Sequence, residues 1–307
     1  MTAPTWNPAH AHSDPARPRR TPVADLFEET IRLYRRTFVV MAGVSAAFQI
    51  PILLATLPVY AQQGEWYQRI GDPTFVMEPE MIWGFFGATL LIVLVATIVG
   101  TFGAAATVFI AGRAKVGDQP SFGEVFRALW RLAPRLLGYL LVWLVGSFLV
   151  LIGLAVVMFI LLLVGTLVAP DSGLAVFWLV VGMLAIFVVG TVAVIRFALS
   201  LPVLVLERQT PIGSLRRSWN LVRGATLRTL GIFVVAAVAI GVVSSVTGLF
   251  YSADMFEGML TGNMGTYLGF VLVSGAVNAL VYPILPALMT LLYYDYAGLS
   301  PGLAAPE

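Results

Sequence analysis

The chain has 307 residues, of which 59% are hydrophobic and only 11% are charged, and its formal net charge is +2. An ordinary soluble domain carries roughly 25% charged residues, so this composition excludes a protein that is stable in water alone. The absence of cysteine excludes disulfides, thiolate metal sites and cysteine nucleophiles. We therefore predict an integral membrane protein.

The first 20 residues are polar and rich in proline, which predicts a disordered tail. Both histidines of the chain, His10 and His12, lie in this tail. Two ligands in a flexible segment are a weak pattern for a metal site, so we expect no metal and no cofactor. Residues 297–307 predict a second short tail after the last apolar segment.

Six charge-free intervals are long enough to cross a bilayer, which takes about 20 mainly apolar residues. After trimming at glycine, proline and polar ends, the predicted helices cover residues 38–60, 82–111, 136–167, 174–205, 230–251 and 266–292. Gly153 is a place where a re-entrant break could interrupt the third helix. We predict an all-α polytopic fold in which residues 21–296 form one membrane domain with six transmembrane helices.

Positive charge is distributed unevenly between the loops. The segment before the first span, the second-to-third loop and the fourth-to-fifth loop hold nearly all the Lys and Arg residues, whereas the opposite loops hold only Arg69. Cytoplasmic loops carry an excess of Lys and Arg. The pattern predicts a multi-pass protein of the plasma membrane with both termini in the cytoplasm, and its first span is expected to remain as an anchor.

Each basic segment begins with a pattern that is typical of a helix start. Thr21-Pro22 and Thr210-Pro211 place a capping threonine before a proline at the first helical position. In the middle segment, Ser121 and Glu124 fit a capping box, in which each satisfies a free backbone donor. The residues that follow predict amphipathic helices that run directly into the next span.

These helices also indicate an internal repeat. A surface helix followed by two spans would form units at residues 21–112, 120–206 and 210–296, all with the same orientation. The alternative is that any six-span protein with cytoplasmic termini has basic loops with capped helices. The similar Thr-Pro starts favour the threefold repeat.

The arginines and tryptophans of the second and third surface helices are candidate contacts with lipids or partners. They are Arg127, Trp130, Arg131, Arg216, Arg217, Trp219 and Arg223. We expect the arginines to face anionic headgroups and the apolar faces to pack on acyl chains or on the bundle. Membrane lipids are the expected partner, and a protein partner or a second copy of the chain is the alternative. Nucleic acid is not expected, because that would require a continuous basic face with interleaved aromatic residues.

A second candidate site consists of polar residues inside the predicted spans, namely Arg196, Asn278 and Tyr282. Arg196 precedes Glu207 by about 16 Å of helix, which could place it near the middle of the bilayer. A charge there is costly, and a cavity of a transporter or lipid-translocating protein would explain it. The alternative is a structural or lipid-phosphate contact, because Pro202 breaks the helix nearby and a long arginine can reach the headgroups.

Two stretches carry a family resemblance. Pro202 and Glu207 end one span, and a helix with Ser218, Trp219 and Gly224 leads into the next, while the last span ends in Tyr293-Tyr294-Asp295. These motifs resemble the membrane domain of glycerophosphoryl diester phosphodiesterases and related stand-alone bacterial membrane proteins of unknown function. That family often has an arginine two residues after the aspartate. This chain has Ala297 there, which removes that partner for an ion pair.

The resemblance implies a membrane module. The soluble barrel to which the domain is sometimes joined has no counterpart in these residues, so we do not expect hydrolysis of lipid diesters. The sequence also contains no Walker, His-Glu-x-x-His or Gly-x-Ser-x-Gly motif. We expect a non-enzymatic module that organises lipids or protein partners, with transport through a cavity near Arg196 as the alternative.

Overall fold

The computed structural model describes residues 20–70, 78–168, 174–261 and 264–298. Apart from residues 20, 297 and 298, the two predicted tails lie outside the described residues, as do His10 and His12. The described part of the chain is helical and contains no strand. Its helices are α1 Val23–Ile70, α2 Pro79–Lys115, α3 Phe122–Val168, α4 Leu174–Phe197, α5 Ser200–Leu206, α6 Pro211–Val222, α7 Thr226–Thr261, α8 Met264–Val281 and α9 Ile284–Ala297.

Six helical segments of the described chain are long and apolar enough to cross a membrane. They are Val23–Pro58, Pro79–Lys115, Phe122–Leu167, Val176–Leu206, Thr226–Ser245 and Leu268–Ala297. The prediction of an all-α protein with six transmembrane helices is confirmed. The third span has no break at Gly153, because α3 continues for 47 residues.

On the side where the basic segments lie, the predicted helices begin too late or end too early. Helix α1 has 48 residues, or about 72 Å at 1.5 Å per residue, whereas the hydrocarbon layer is about 30 Å thick. The amphipathic start and the apolar span are one continuous helix in α1 and likewise in α3. Charge-free intervals mark only the apolar part of such a helix.

Two of the six spans are interrupted. The fourth consists of α4 and α5, and the interruption lies at Ala198 and Leu199, so the prediction that Pro202 breaks the helix is wrong by a few residues. Proline lacks an N–H group and is tolerated in the first turn of a helix, which is where Pro202 lies in α5. The last span consists of α8 and α9, with its interruption at Tyr282 and Pro283.

The densely packed core lies toward one end of the bundle. Buried apolar side chains there come from the start of α1, the end of α2, the start of α3, α5 and α9; examples are Leu26, Met41, Ile110, Leu136, Leu204 and Leu292. Farther along α3 and α4 the apolar side chains are largely exposed, such as Phe159 and Phe187. Lipid tails are as apolar as leucine, so this exposure is expected in a bilayer and has no hydrophobic penalty.

The apolar faces of the surface helices are divided between the bundle and the outside. Leu26, Val125 and Val222 are buried. Ile31 and Trp130 on the same predicted faces are exposed by 56% and 83%. One edge of each face therefore packs on the core, and the other remains available to acyl chains.

The helix starts only partly follow the sequence pattern. Thr210 caps α6 by accepting a hydrogen bond from the Gly213 N–H at 3.2 Å. Glu124 accepts from the Ser121 N–H at 2.8 Å, which is one half of the predicted capping box. Thr21 is different, because its hydroxyl donates to Asp295. Two similar Thr-Pro patterns thus have different contacts.

The third predicted repeat unit also differs from the other two. Helices α6 and α7 are separated at residues 223–225, whereas α1 and α3 continue from the surface segment into the span. The threefold repeat and the domain boundaries stay predictions.

Gly112 provides a test of the contact between α2 and α5. This buried glycine is so close to Leu206 that an added Cβ would lie 2.6 Å from the leucine Cδ2 atom. Gly112→Leu should therefore overpack the core and lower the free energy of unfolding by about 1–3 kcal/mol. The measurement is the midpoint of thermal unfolding in detergent. Gly146→Leu is the matched control, since an added Cβ at this exposed position meets no atom within 4 Å. Equal midpoints for the two variants would contradict the packing described here.

Candidate functional site

Contacts between distant segments bring the three basic segments to one end of the bundle. Lys115 at the end of α2 forms an ion pair with Glu29 of α1. Arg228 at the start of α7 forms an ion pair with Asp295 at the end of α9. We call this end, which also contains the start of α3, the end of α5 and all of α6, the basic end. The side of the membrane on which it lies stays a prediction.

Asp295 is the centre of the polar contacts at the basic end, and its side chain is only 6% exposed. One carboxylate oxygen accepts hydrogen bonds from the N–H and the hydroxyl of Thr21, at 2.8 and 2.7 Å. The other oxygen pairs with Arg228 at 2.7 Å, and Arg228 also donates to the Thr21 carbonyl. These three residues form the Asp295 cluster. Arg228 thus provides Asp295 with a cationic partner, although position 297 holds alanine instead of arginine.

A second set of contacts surrounds Tyr296, directly after the aspartate. The guanidinium groups of Arg20 and Arg228 both lie over its ring, each 5.4 Å from the ring centroid. Its hydroxyl forms a hydrogen bond with the Thr229 hydroxyl at 2.9 Å. Arg20 also donates to the Gly224 carbonyl at 3.3 Å. The family-motif position Gly224 therefore takes part through its backbone carbonyl.

The remaining motif residues make contacts between α5, α6 and α9. The buried Tyr293 donates its hydroxyl hydrogen to Glu207 at 2.8 Å, and Arg217 pairs with the same carboxylate oxygen at 3.4 Å. Tyr294 packs its ring against Tyr293, with the centroids 5.4 Å apart. Pro202 is buried in α5. Together these residues tie the ends of two spans to the surface helix between them.

Arg196 is near the end of α4 and contacts α6 directly. Its guanidinium carbon lies 4.4 Å from the centroid of the Trp219 ring, and its carbonyl accepts a hydrogen bond from the buried Ser218 hydroxyl at 2.8 Å. Phe197 packs on the same indole ring at 5.4 Å. The cation–π contact and the hydrogen bond fix α6 against α4. This geometry favours the structural interpretation of Arg196.

The structure does not bring the three predicted intramembrane residues into one set of contacts. Tyr282 donates to the Gly100 carbonyl of α2 at 2.7 Å. Asn278 lines a cavity of about 110 Å³ between α7 and α8, together with residues such as Ser244 and Ser274. Arg196 is not among the residues that line this cavity.

A larger pocket at the basic end is strongly positive. Its volume is about 500 Å³, and its charged lining consists of one acid, Glu124, and five arginines: Arg113, Arg127, Arg131, Arg135 and Arg208. We call it the arginine pocket. Arg113 comes from α2, three arginines come from α3 and Arg208 follows α5. The ion pair of Arg113 with Asp118 and the hydrogen bond of Glu124 with Ser121 fix two of these side chains.

The other predicted surface contacts lie outside the arginine pocket. Arg216, Trp219 and neighbouring α6 residues line a separate, more apolar groove. Arg223 is exposed at the end of α6. Trp130 is exposed on α3, immediately before the pocket residue Arg131. The seven predicted contacts therefore belong to several surfaces, and only Arg127 and Arg131 line the arginine pocket.

Three pocket arginines were missing from the predicted contacts: Arg113, Arg135 and Arg208. The spacing of Arg127, Arg131 and Arg135 at four-residue intervals was a usable signal, because it places them on one face of a helix. No such signal existed for Arg113 and Arg208, which reach the pocket only through the packing of α2 on α3 and of α5 on α2. The partner of Asp295, Arg228, was likewise visible only in the structure.

Comparison with known families gives one match. The family model described as the membrane domain of glycerophosphoryl diester phosphodiesterase matches residues 80–302. The matched range contains the arginine pocket and most of the basic end. No curated protein and no solved structure matches the chain.

The Asp295 cluster predicts a strong dependence of stability on one carboxylate. Asp295→Asn keeps the shape of the side chain but leaves Arg228, only 19% exposed, without its counter-charge. Removal of one partner of a buried ion pair costs about 3 kcal/mol or more, so the unfolding midpoint in detergent should fall markedly. The control is Glu28→Gln, whose ion pair with Arg32 is largely exposed and should contribute about 0.5 kcal/mol at most. Similar losses in both variants would show that the cluster does not hold the basic end together.

Proposed function

The chain belongs to the family of the membrane domain of glycerophosphoryl diester phosphodiesterase, and from this premise we propose that it is a non-enzymatic membrane module that binds anionic phospholipids through the arginine pocket. The arginine pocket is the observation on which this proposal rests. Five arginines around a cavity of about 500 Å³ are opposed by one glutamate in its lining. An anion that enters this cavity would relieve the repulsion between the arginines.

The chemistry of arginine supports a phosphate as that anion. Guanidinium is a positively charged group that is more weakly hydrated than an ammonium group, which suits it to binding anions. Its planar set of N–H donors matches the oxygens of a phosphate and allows bidentate hydrogen bonds. Apolar residues such as Phe109 and Val205 complete the lining and suit the glycerol and acyl carbons behind a headgroup.

The surroundings of the pocket support a lipid as the source of the phosphate. Trp130 is 83% exposed and adjoins Arg131, and tryptophan is enriched where the headgroups meet the hydrocarbon layer. The excess of arginine in the basic segments predicts that the basic end faces the cytoplasm. Anionic lipids make that leaflet negative and contribute about 1 kcal/mol per nearby Lys or Arg.

Transport by way of Arg196 remains the alternative from the sequence, as does binding of a protein partner. The contacts of Arg196 with Trp219 and Ser218 give this arginine a structural role that does not require a transported ligand. The lipid proposal is therefore the one that the described contacts favour.

Lipid binding by the full chain provides the test. The protein, purified in detergent, is titrated with phosphatidylglycerol or phosphatidylcholine, and bound lipid is counted by native mass spectrometry. We expect tighter binding of phosphatidylglycerol. Arg131→Gln should weaken it about fivefold, which corresponds to about 1 kcal/mol for one arginine near a phosphate.

Arg35→Gln is the matched control, because it removes the same charge from an exposed position of α1, outside the arginine pocket and outside the predicted contacts. Phosphatidylglycerol binding by this variant should stay within the error of the parent. Equal losses in the two variants would point to diffuse surface attraction, and equal binding of both lipids by the parent would refute the proposal.

A further inference from the structure

The arrangement of the arginines inside the pocket narrows the class of lipid that it would hold. Arg127, Arg131 and Arg135 follow one another along α3 at intervals of four residues, or about 6 Å of helix rise each. All three line the same cavity. Measured along the helix axis they form a row of about 12 Å with two intervals, and Arg131 borders both intervals.

Arginines from two other elements also line the cavity. Arg113 at the end of α2 and Arg208 after α5 line the cavity from two other elements. The pocket therefore offers donors from several directions. A phosphate at either interval of the α3 row would lie beside two neighbouring arginines of α3, in a cavity whose lining also contains Arg113 and Arg208.

The balance of charge indicates more than one phosphate. The lining contains five arginines and one glutamate, and Asp118 beside the pocket pairs with Arg113. Glu124 offsets one of the three charges of the α3 row, and a single phosphodiester offsets one more, so one arginine of the row would remain without a counter-charge. A ligand with two phosphates would offset both of the positive charges that Glu124 leaves in the row, and so would reduce the repulsion between its arginines further.

We propose that the arginine pocket selects ligands that carry two phosphate groups, one at the Arg127–Arg131 interval and one at the Arg131–Arg135 interval. This inference rests on the proposed function and specifies its ligand. The two phosphates belong either to one lipid headgroup, as in cardiolipin, or to a soluble diphosphate. The chemistry that the pocket recognises is the same in both cases.

The experiment compares lipids at equal total charge. The full chain is reconstituted in phosphatidylcholine nanodiscs that contain either cardiolipin or twice the molar amount of phosphatidylglycerol, and the lipids retained after extraction into detergent are counted by native mass spectrometry. We expect cardiolipin to be retained about fivefold better, the effect of one further arginine–phosphate contact. Arg131→Gln should abolish this preference because Arg131 borders both intervals, whereas Arg35→Gln should keep it.

The outcomes separate this inference from the proposed function. If both lipids are retained equally at matched charge, and Arg131→Gln weakens both, the pocket binds phosphate without selecting two groups and the inference is overturned alone. If neither lipid is retained better than phosphatidylcholine, both ideas fail. The unfolding midpoint of each variant in detergent shows whether it is folded.

A competition arm identifies the source of the two phosphates. Pyrophosphate and orthophosphate are added at equal total negative charge to the protein with bound cardiolipin. Displacement by pyrophosphate alone would support a soluble diphosphate. Resistance to both anions would support the lipid, whose acyl chains add binding energy. Equal displacement by both anions would argue against a site for two phosphates.

Discussion

The exclusion of charge from the hydrocarbon layer is the constraint on which the rest of this structure depends. In the described residues the six apolar segments carry their charged side chains near the ends of the spans. The contacts of Glu29 with Lys115, and of Thr21 and Arg228 with Asp295, show that the basic segments share one end. Lipid offers the spans no hydrophobic reason to pack tightly, whereas the polar groups at the basic end require partners. The densely packed core and the polar contacts accordingly lie at the same end of the bundle.

Arginines at the basic end fall into two physical situations. Arg228 is nearly buried and has its charge and its donors matched by Asp295 and the Thr21 carbonyl. The arginines of α3 are exposed around a cavity with a single acid in its lining. A matched arginine stabilises one arrangement of helices, and an unmatched cluster favours binding of an anion. Arg228 thus stabilises the fold, whereas on the proposal above the arginines of α3 bind an anion.

The sequence was sufficient to predict what depends on local pattern and on the bilayer. The six spans, the cap of α6 by Thr210 and the grouping of Arg127 with Arg131 follow from hydropathy and helical spacing. It was not sufficient where packing decides. Thr21 has the same local pattern as Thr210, yet its hydroxyl donates to a residue 274 positions away. Arg113 and Arg208 reach the arginine pocket only because α2 packs on α3 and α5 packs on α2.

The contacts also explain why the motif residues and the arginines of the pocket are different sets. Glu207, Tyr293 and Asp295, which are among the residues that carry the family resemblance, pair with protein groups and are held in place by them. Such residues determine how the spans end and how α6 packs between them. A rigid basic end of this kind would hold α2 and α5 against α3 and so keep the five guanidinium groups around one cavity. Pre-organisation of this sort lowers the entropic cost of binding, since the cluster is assembled before the ligand arrives. The Asp295 cluster would then contribute to recognition without contacting a lipid, through the stability of the helix ends that carry the arginines.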